Sequence, residues 1–316
     1  MLLRLITRRL LFSLYTLLAV AIFVFIVAET LPGSAAQAML GQSATPETVA
    51  ALERELGLDQ PAIYRFFYWL TNMLQGDFGI SYSTRTPVVD QLALRLPPTL
   101  MLGGLVTIIA VPTALLLGLI CAIKPGTIID RGINTLALCL ISIPDFLLAT
   151  LLVVGFAVTL QWLPAISSVT PDMSTVEVLR ALALPAATLA LIVIAPMVRM
   201  TRNAVINVLS QPSIEMAMLK GVPPRRIIMH HALPNALGPI VNVISINLAY
   251  LLSGVIIVEF VFAYPGVAKF MVDGVASRNM PVVQACAIFF CTVYIGLNLF
   301  ADVVAMVANP RLRHPK

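Results

Sequence analysis

Leu10 to Ala28 is a run of 19 residues without a charge, and Arg4, Arg8 and Arg9 stand just before it. At about 1.5 Å of rise per residue, a helix of that length crosses the ~30 Å hydrocarbon core of a bilayer nearly upright. Further apolar runs read as Leu100 to Ile123, Ile133 to about Leu160, Ala181 to Val198, Ile240 to Phe262 and Val282 to about Val307. This succession leaves the chain few options, because hydrocarbon offers no partner to a backbone N–H or C=O and a long spanning run must bond to itself as a helix. The expected fold is an all-α integral membrane protein with six transmembrane helices. Composition agrees: 11% of the residues are charged, against roughly 25% in soluble domains. Ala36-Gln37-Ala38 suggests a signal-peptide cleavage site, but signal cores are only about 7 to 15 residues long and more spans come after it. Residues 1–29 therefore read as a retained first helix. Pro112, Pro144, Pro185 and Pro196 fall inside spans, which implies bent helices in a bundle.

The placement of charge gives an independent check. With the N-terminus inside, 13 of the 20 Lys and Arg residues fall on the cytosolic side, as the positive-inside rule requires. Membrane orientation thus explains the net charge of +5, and no basic, aromatic segment suggests nucleic acid. All four cysteines lie in apolar runs and read as buried, inert thiols. Residues 30–95 form the only extended polar region. Pro46 to Leu56, capped by Thr45, and Gln60 to Leu74, with an aromatic face of Tyr64, Phe67 and Tyr68, read as helices that lie on a surface. Gly76-Asp77-Phe78-Gly79 does not match a dinucleotide loop and reads as a structural turn. Residues 96–316 then hold the remaining five spans.

Ser213 to Asn235 is the longest polar interruption in that core, with Lys220, Arg225, Arg226, His230 and His231 as its basic residues. Its grammar is helix, break, helix: two turns to Lys220, a stop at Gly221, and a restart at Pro223-Pro224, where first-turn proline is tolerated. Two short helices at right angles are expected, held by a soluble partner. No GxxxxGK[ST] loop occurs, so any ATP dependence comes from another chain, and no HExxH or GxSxG motif suggests an enzyme. Adjacent His230 and His231 diverge by about 100° on a helix and do not suggest a metal site.

Asp145 lies in the third span, where an ionisable side chain costs about 2.5 to 3.5 kcal/mol on insertion scales. It either bonds freed backbone beside Pro144 in a wet interior or lines a pathway that attracts a cationic group such as a peptide amino terminus. Asn242, Asn247 and Asn298 read as interhelical hydrogen-bond formers, and Asn247 is also a pathway candidate. Asp302 reads as solvated near the inner boundary. Glu259 reads as a helix-end charge reaching the interface, or as part of a gate.

The polar loop resembles the EAA loop of ABC importer permeases, whose pattern is E-A-A, three residues, G, nine residues, I-x-L-P. Here the sequence runs Glu215-Met216-Ala217, Gly221, then His231-Ala232-Leu233-Pro234, with Met216 in place of the first alanine and His231 in place of the isoleucine. Other stretches similar to the dipeptide, oligopeptide and nickel group of that family are Leu56-Gly57-Leu58-Asp59-Gln60-Pro61, Gly76-Asp77-Phe78-Gly79-x-Ser81, Arg95-Leu96-Pro97-x-Thr99-Leu100, Phe262-Ala263-Tyr264-Pro265-Gly266, Pro281-Val282-Val283-Gln284 and the terminal Asn309-Pro310-Arg311-Leu312-Arg313. The resemblance implies a type I ABC importer permease in the bacterial inner membrane, with both termini cytosolic and residues 30–95 periplasmic. It implies a second permease subunit, two ATP-binding subunits that carry ATP and Mg, and a periplasmic or lipid-anchored solute-binding protein. It places Glu215, Met216, Ala217, Lys220, Gly221, Arg225, His231, Leu233 and Pro234 in an ATPase-docking role, and makes the cargo a peptide or similar small solute. A nickel, glutathione, opine or short-saccharide system is the alternative within the family. A channel or proton-coupled carrier is the alternative outside it, but that would show a filter, a repeat or a chain of intramembrane acids.

Overall fold

The computed structural model describes residues 2–30, 34–170 and 172–308, and the side-chain surroundings of residues 7–30, 34–170 and 172–300. The readings placed on the side chains of Arg4 and Asp302, and on residues 309–316, lie outside them. Regular structure among the described residues is helical, apart from one isolated bridge between Ile80 and Pro87.

The helices are α1 (Leu2–Thr30), α2 (Ala35–Leu40), α3 (Pro46–Glu55), α4 (Ala62–Leu74), α5 (Val88–Ile123), α6 (Ile128–Ser142), α7 (Asp145–Thr159), α8 (Thr175–Leu209), α9 (Pro212–Leu219), α10 (Pro224–Val261), α11 (Val267–Ala276) and α12 (Met280–Ala308). Among the described residues, five helices are long and apolar enough to span, and the count is six if α6 and α7, which bend by 102° at their break, are taken as one span. The third apolar run is therefore broken, a sharper interruption than the bent helix that Pro144 implied. Proline has no N–H and disfavours helix in the residue before it, so the ladder stops at Ser142 and restarts after Pro144.

The chain divides into two compact units. The first is built mainly on Met101–Phe262. Its centre is α8, which packs against α6, α7 and α10. Of an 18-residue window of α8, 72% is buried, against 6% for α1, so α8 belongs to the core while α1 turns most of its surface outward. Lipid tails are as apolar as leucine, so helices associate in a membrane mainly by close packing, which favours small residues at crossings. Gly118 shows this on α5: a Cβ there would stand 2.7 Å from the Thr201 Cβ and 2.8 Å from the Val198 carbonyl oxygen of α8. α8 starts at Ser174, whose hydroxyl accepts from the Glu177 N–H while the Glu177 carboxylate accepts from the Ser174 N–H. That reciprocal pair satisfies two of the first turn's orphan donors.

The second unit joins Leu11–Leu100 to Ala263–Val293. Its core gathers Val88, Val267, Phe270, Val282, Ala285 and Cys286, with Phe78, Leu92 and Leu96 packed on it. Thr45 caps α3 and Pro61 precedes α4, as the sequence indicates. Two cysteines, Cys121 and Cys286, are buried, but Cys139 is exposed on the surface of α6 and Cys291 is half-buried, so the thiols do not share one environment.

Candidate functional site

The polar loop between α8 and α10 forms around one left-handed residue. Gly221 has φ +75°, a conformation that costs other L-residues about 1 kcal/mol or more. The Gly221 N–H donates to the Met218 carbonyl at 2.9 Å and the Val222 N–H donates to the Ala217 carbonyl at 3.2 Å. These are the two bonds of a Schellman ending, and Ala217 and Val222 complete it by packing on one apolar cluster. The break is therefore where the sequence puts it.

Beyond the break the structure departs from expectation. The chain restarts at Pro224, but instead of a second short helix it runs on as α10 into the next span. Residues Ile227–Ala232 widen to a π-helix, with the Leu233 N–H donating to the Ile228 carbonyl. Pro234 has no N–H for the His230 carbonyl, so the regular ladder fails there. The Asn235 side chain donates to the His231 carbonyl at 2.7 Å and satisfies a neighbouring acceptor.

The loop has a greasy underside and a mixed outer surface. Ile214, Ile227, Ala232 and Ala236 are buried with Val205, Val208 and Ala122. Leu233 is half-buried. Glu215, Met216, Met218, Leu219, Lys220, Arg225, Arg226, Met229, His231 and Pro234 are exposed. Met216 and His231, the two departures from the family pattern, thus alter surface and not packing. Among the described residues, no group of three or more His, Cys, Asp or Glu side chains is placed to hold a metal.

Deeper in the same unit, a cavity of about 230 Å3 is lined by Leu140, Ile141, Asp145, Leu191, Ile192, Ala195, Pro196, Met200, Ile246, Asn247 and Tyr250. The span break puts Asp145 on the first turn of α7, where the helix dipole favours a carboxylate, and not in mid-helix. None of the hydrogen bonds of the described residues reaches its carboxylate. The structure thus brings Asp145 and Asn247 to one cavity.

Glu259 is not among the cavity residues. It does not reach the interface either: it is 0% exposed, on the face of α10 that also buries Val255 and Val258. Its distance from the helix end suggested snorkelling, but its rotation about the helix axis decided burial. Of the three asparagines, Asn247 makes the expected interhelical bond, donating to the Met200 sulfur of α8 at 3.6 Å besides the Val243 carbonyl of its own helix at 2.8 Å, and the other two differ. Asn298 donates to its own Tyr294 carbonyl at 2.8 Å, and Asn242 is exposed.

Sequence reasoning missed a part-buried ion pair. Arg202 of α8 donates to both Asp130 oxygens, from Nε at 2.6 Å and Nη2 at 2.7 Å, and Asp130 also accepts from the Gly126 N–H at 2.8 Å and the Asn134 amide at 2.7 Å. Bidentate geometry with its remaining acceptors filled is what such a pair needs to persist out of water. The signal available was an aspartate beside the Thr127 helix cap in a loop otherwise basic.

In the second unit, stretches far apart in sequence lock together. Asn279 accepts from the Tyr82 N–H at 3.1 Å, and its amide donates to the Ser81 and Ser83 hydroxyls at 2.7 and 3.0 Å. The Tyr264 hydroxyl donates to the Pro98 carbonyl at 2.8 Å and the Val267 N–H donates to the Thr99 hydroxyl at 2.9 Å. Gly76 and Gly79, with φ +84° and +81°, make the turn that brings Ser81 there.

The long apolar helices, two of them joined by a capped polar loop, define a multi-pass membrane protein. The chain belongs to the family of binding-protein-dependent transport system inner membrane components, whose profile matches residues 114–314, with the corresponding N-terminal family matching residues 2–103. It is 34% identical to a probable peptide ABC transporter permease of Sinorhizobium fredii, over 98% of this chain and 99% of that one. It is 36% identical to a putative peptide transport system permease of Brucella abortus, over 98% and 99%, and to the glutathione transport system permease of Escherichia coli, over 97% and 98%. Among solved structures, the inward-facing MetNI methionine ABC transporter matches with a TM-score of 0.52 at 21% identity, over 70% of this chain and 94% of that one, which speaks to the fold alone. The chain is thus a permease subunit of an ABC importer, a non-catalytic transport component of the bacterial inner membrane that works in a complex with ATPase and binding-protein partners.

Proposed function

We propose that this chain carries peptides, or solutes of similar size, across the inner membrane, and that its 213–235 loop seats in one of two ATP-binding subunits. Relatives named for peptide and glutathione transport support that cargo class. The complex is a heterodimer with a second permease, two ATP-binding subunits and a solute-binding protein. The excess of Lys and Arg on one side supports an arrangement with both termini and the loop in the cytosol and residues 30–95 outside.

The observation that carries the docking role is connectivity. The loop joins α8 directly to α10, the two helices that supply most of the wall of the Asp145 cavity. An ATP-binding subunit that grips Glu215, Met216, Lys220, Arg225, His231 and Pro234, above Ala217 and Leu233, and rotates as nucleotide binds, moves both helices at once. Gly221 fixes the angle at which α9 leaves. This is coupling through a packed element with two arrangements. Gly221→Asp forces an L side chain into the left-handed region, and uptake is expected to be abolished while the protein stays in the membrane. Full uptake by that variant refutes the docking role.

Asp145 and Asn247 line the translocation path. In the cavity the carboxylate offers an ammonium group a partner without first breaking a bond within the protein. Asp145→Asn is expected to lower uptake of solutes with a free amino group at unchanged protein abundance. Unchanged uptake overturns the assignment.

A further inference from the structure

Helix α4 carries a feature that transport does not use. Its charged side chain, Arg65, pairs with Glu29 near the C-terminal end of the spanning helix α1. One turn deeper in α1, Phe25 meets Phe66 at a ring-centroid distance of 5.2 Å and Trp69 at 6.1 Å. At 100° per residue, Arg65, Phe66 and Trp69 occupy one side of α4. The opposite arc holds Ile63, Tyr64, Phe67, Tyr68, Thr71 and Leu74, all exposed and none charged. Tyr64 and Tyr68 stack along it at 6.3 Å. A contiguous exposed face of large apolar and aromatic side chains marks an interaction surface.

Its depth identifies the occupant. α1 spans over Thr7–Thr30, 24 residues and about 36 Å at ~1.5 Å each, somewhat more than the ~30 Å of hydrocarbon. Phe25 therefore lies where the acyl region ends, and Glu29 among the headgroups. Contact with both fixes α4 at that boundary. Tyrosine, with an apolar ring and a polar tip, suits such a layer, where aromatic belts form. We propose that α4 is an interfacial anchor whose Ile63, Tyr64, Phe67, Tyr68 and Leu74 side chains insert among phospholipids of the leaflet at the C-terminal end of α1, continuing the lipid-facing surface of that helix.

A photoreactive phenylalanine analogue in place of Tyr68, in the assembled transporter within native membranes, tests this. On illumination the permease is expected to gain the mass of a phospholipid, and that adduct is expected to be lost when the analogue stands at exposed Glu47 instead. Tyr64 provides a second probe position if the first impairs assembly. An adduct to the solute-binding protein or to the second permease overturns the proposal, and so does reaction with water alone.

Discussion

The loop at 213–235 and the interlocked turns of the second unit are the two places where the family-like stretches concentrate, and they use those residues in opposite ways. In the turns, Asn279, Ser81, Thr99 and Tyr264 are buried, and their bonds, Asn279 with Ser81 and Tyr82, Thr99 with Val267 and Tyr264 with Pro98, cross intervals such as the 197 residues from Tyr82 to Asn279. In the loop, Glu215, Met216, Lys220, Arg225 and His231 are exposed, and only the apolar underside is buried in its own unit. Residues that serve the fold are consumed by internal contacts. Residues left outward over a firmly packed base are available to another chain.

Substitutions can break or sharpen that contrast. The largest expected stability effect is Asn279→Ala, which leaves the Tyr82 N–H without its acceptor and takes one donor from each of the Ser81 and Ser83 hydroxyls, which keep their bond to one another at 3.3 Å. A buried group so orphaned costs about 1–3 kcal/mol, so a loss of roughly 2–4 kcal/mol is expected, read as earlier thermal unfolding of the detergent-solubilised complex and reduced abundance. Tyr264→Phe removes one bond, to the Pro98 carbonyl, and is expected to cost about 1 kcal/mol in the same assay. The smallest effect on stability belongs to Leu219→Ser, at a side chain 76% exposed, where surface changes usually stay within about 0.5 kcal/mol. Its transport, by contrast, is expected to fall clearly. Were Leu219→Ser to unfold the protein, or Asn279→Ala to leave stability untouched while blocking transport, the division of labour between the two regions would be reversed.

The same contrast governs how much was legible in the sequence. Local features were readable: Gly221 followed by two prolines sets a helix end by backbone chemistry that needs no tertiary contact, and Thr45 caps α3 for the same reason. Long apolar runs announced the spans, although Pro144 broke one of them more sharply than its hydropathy suggested. Features that depend on rotation about a helix axis or on distant partners were not readable. Glu259 has a helix-end position but faces inward, and Asp130 finds Arg202 across 72 residues. The cavity that joins Asp145 to Asn247 likewise exists only once α6, α7, α8 and α10 are packed.

The most direct test of the central claim uses a photoreactive side chain in place of Leu219, carried by the complete transporter in its native membrane. Seating of the loop in an ATP-binding subunit predicts an adduct with the mass of that subunit, lost when Gly221→Asp is added. An adduct with any other chain, or none in a transporter that still takes up its solute, contradicts the account.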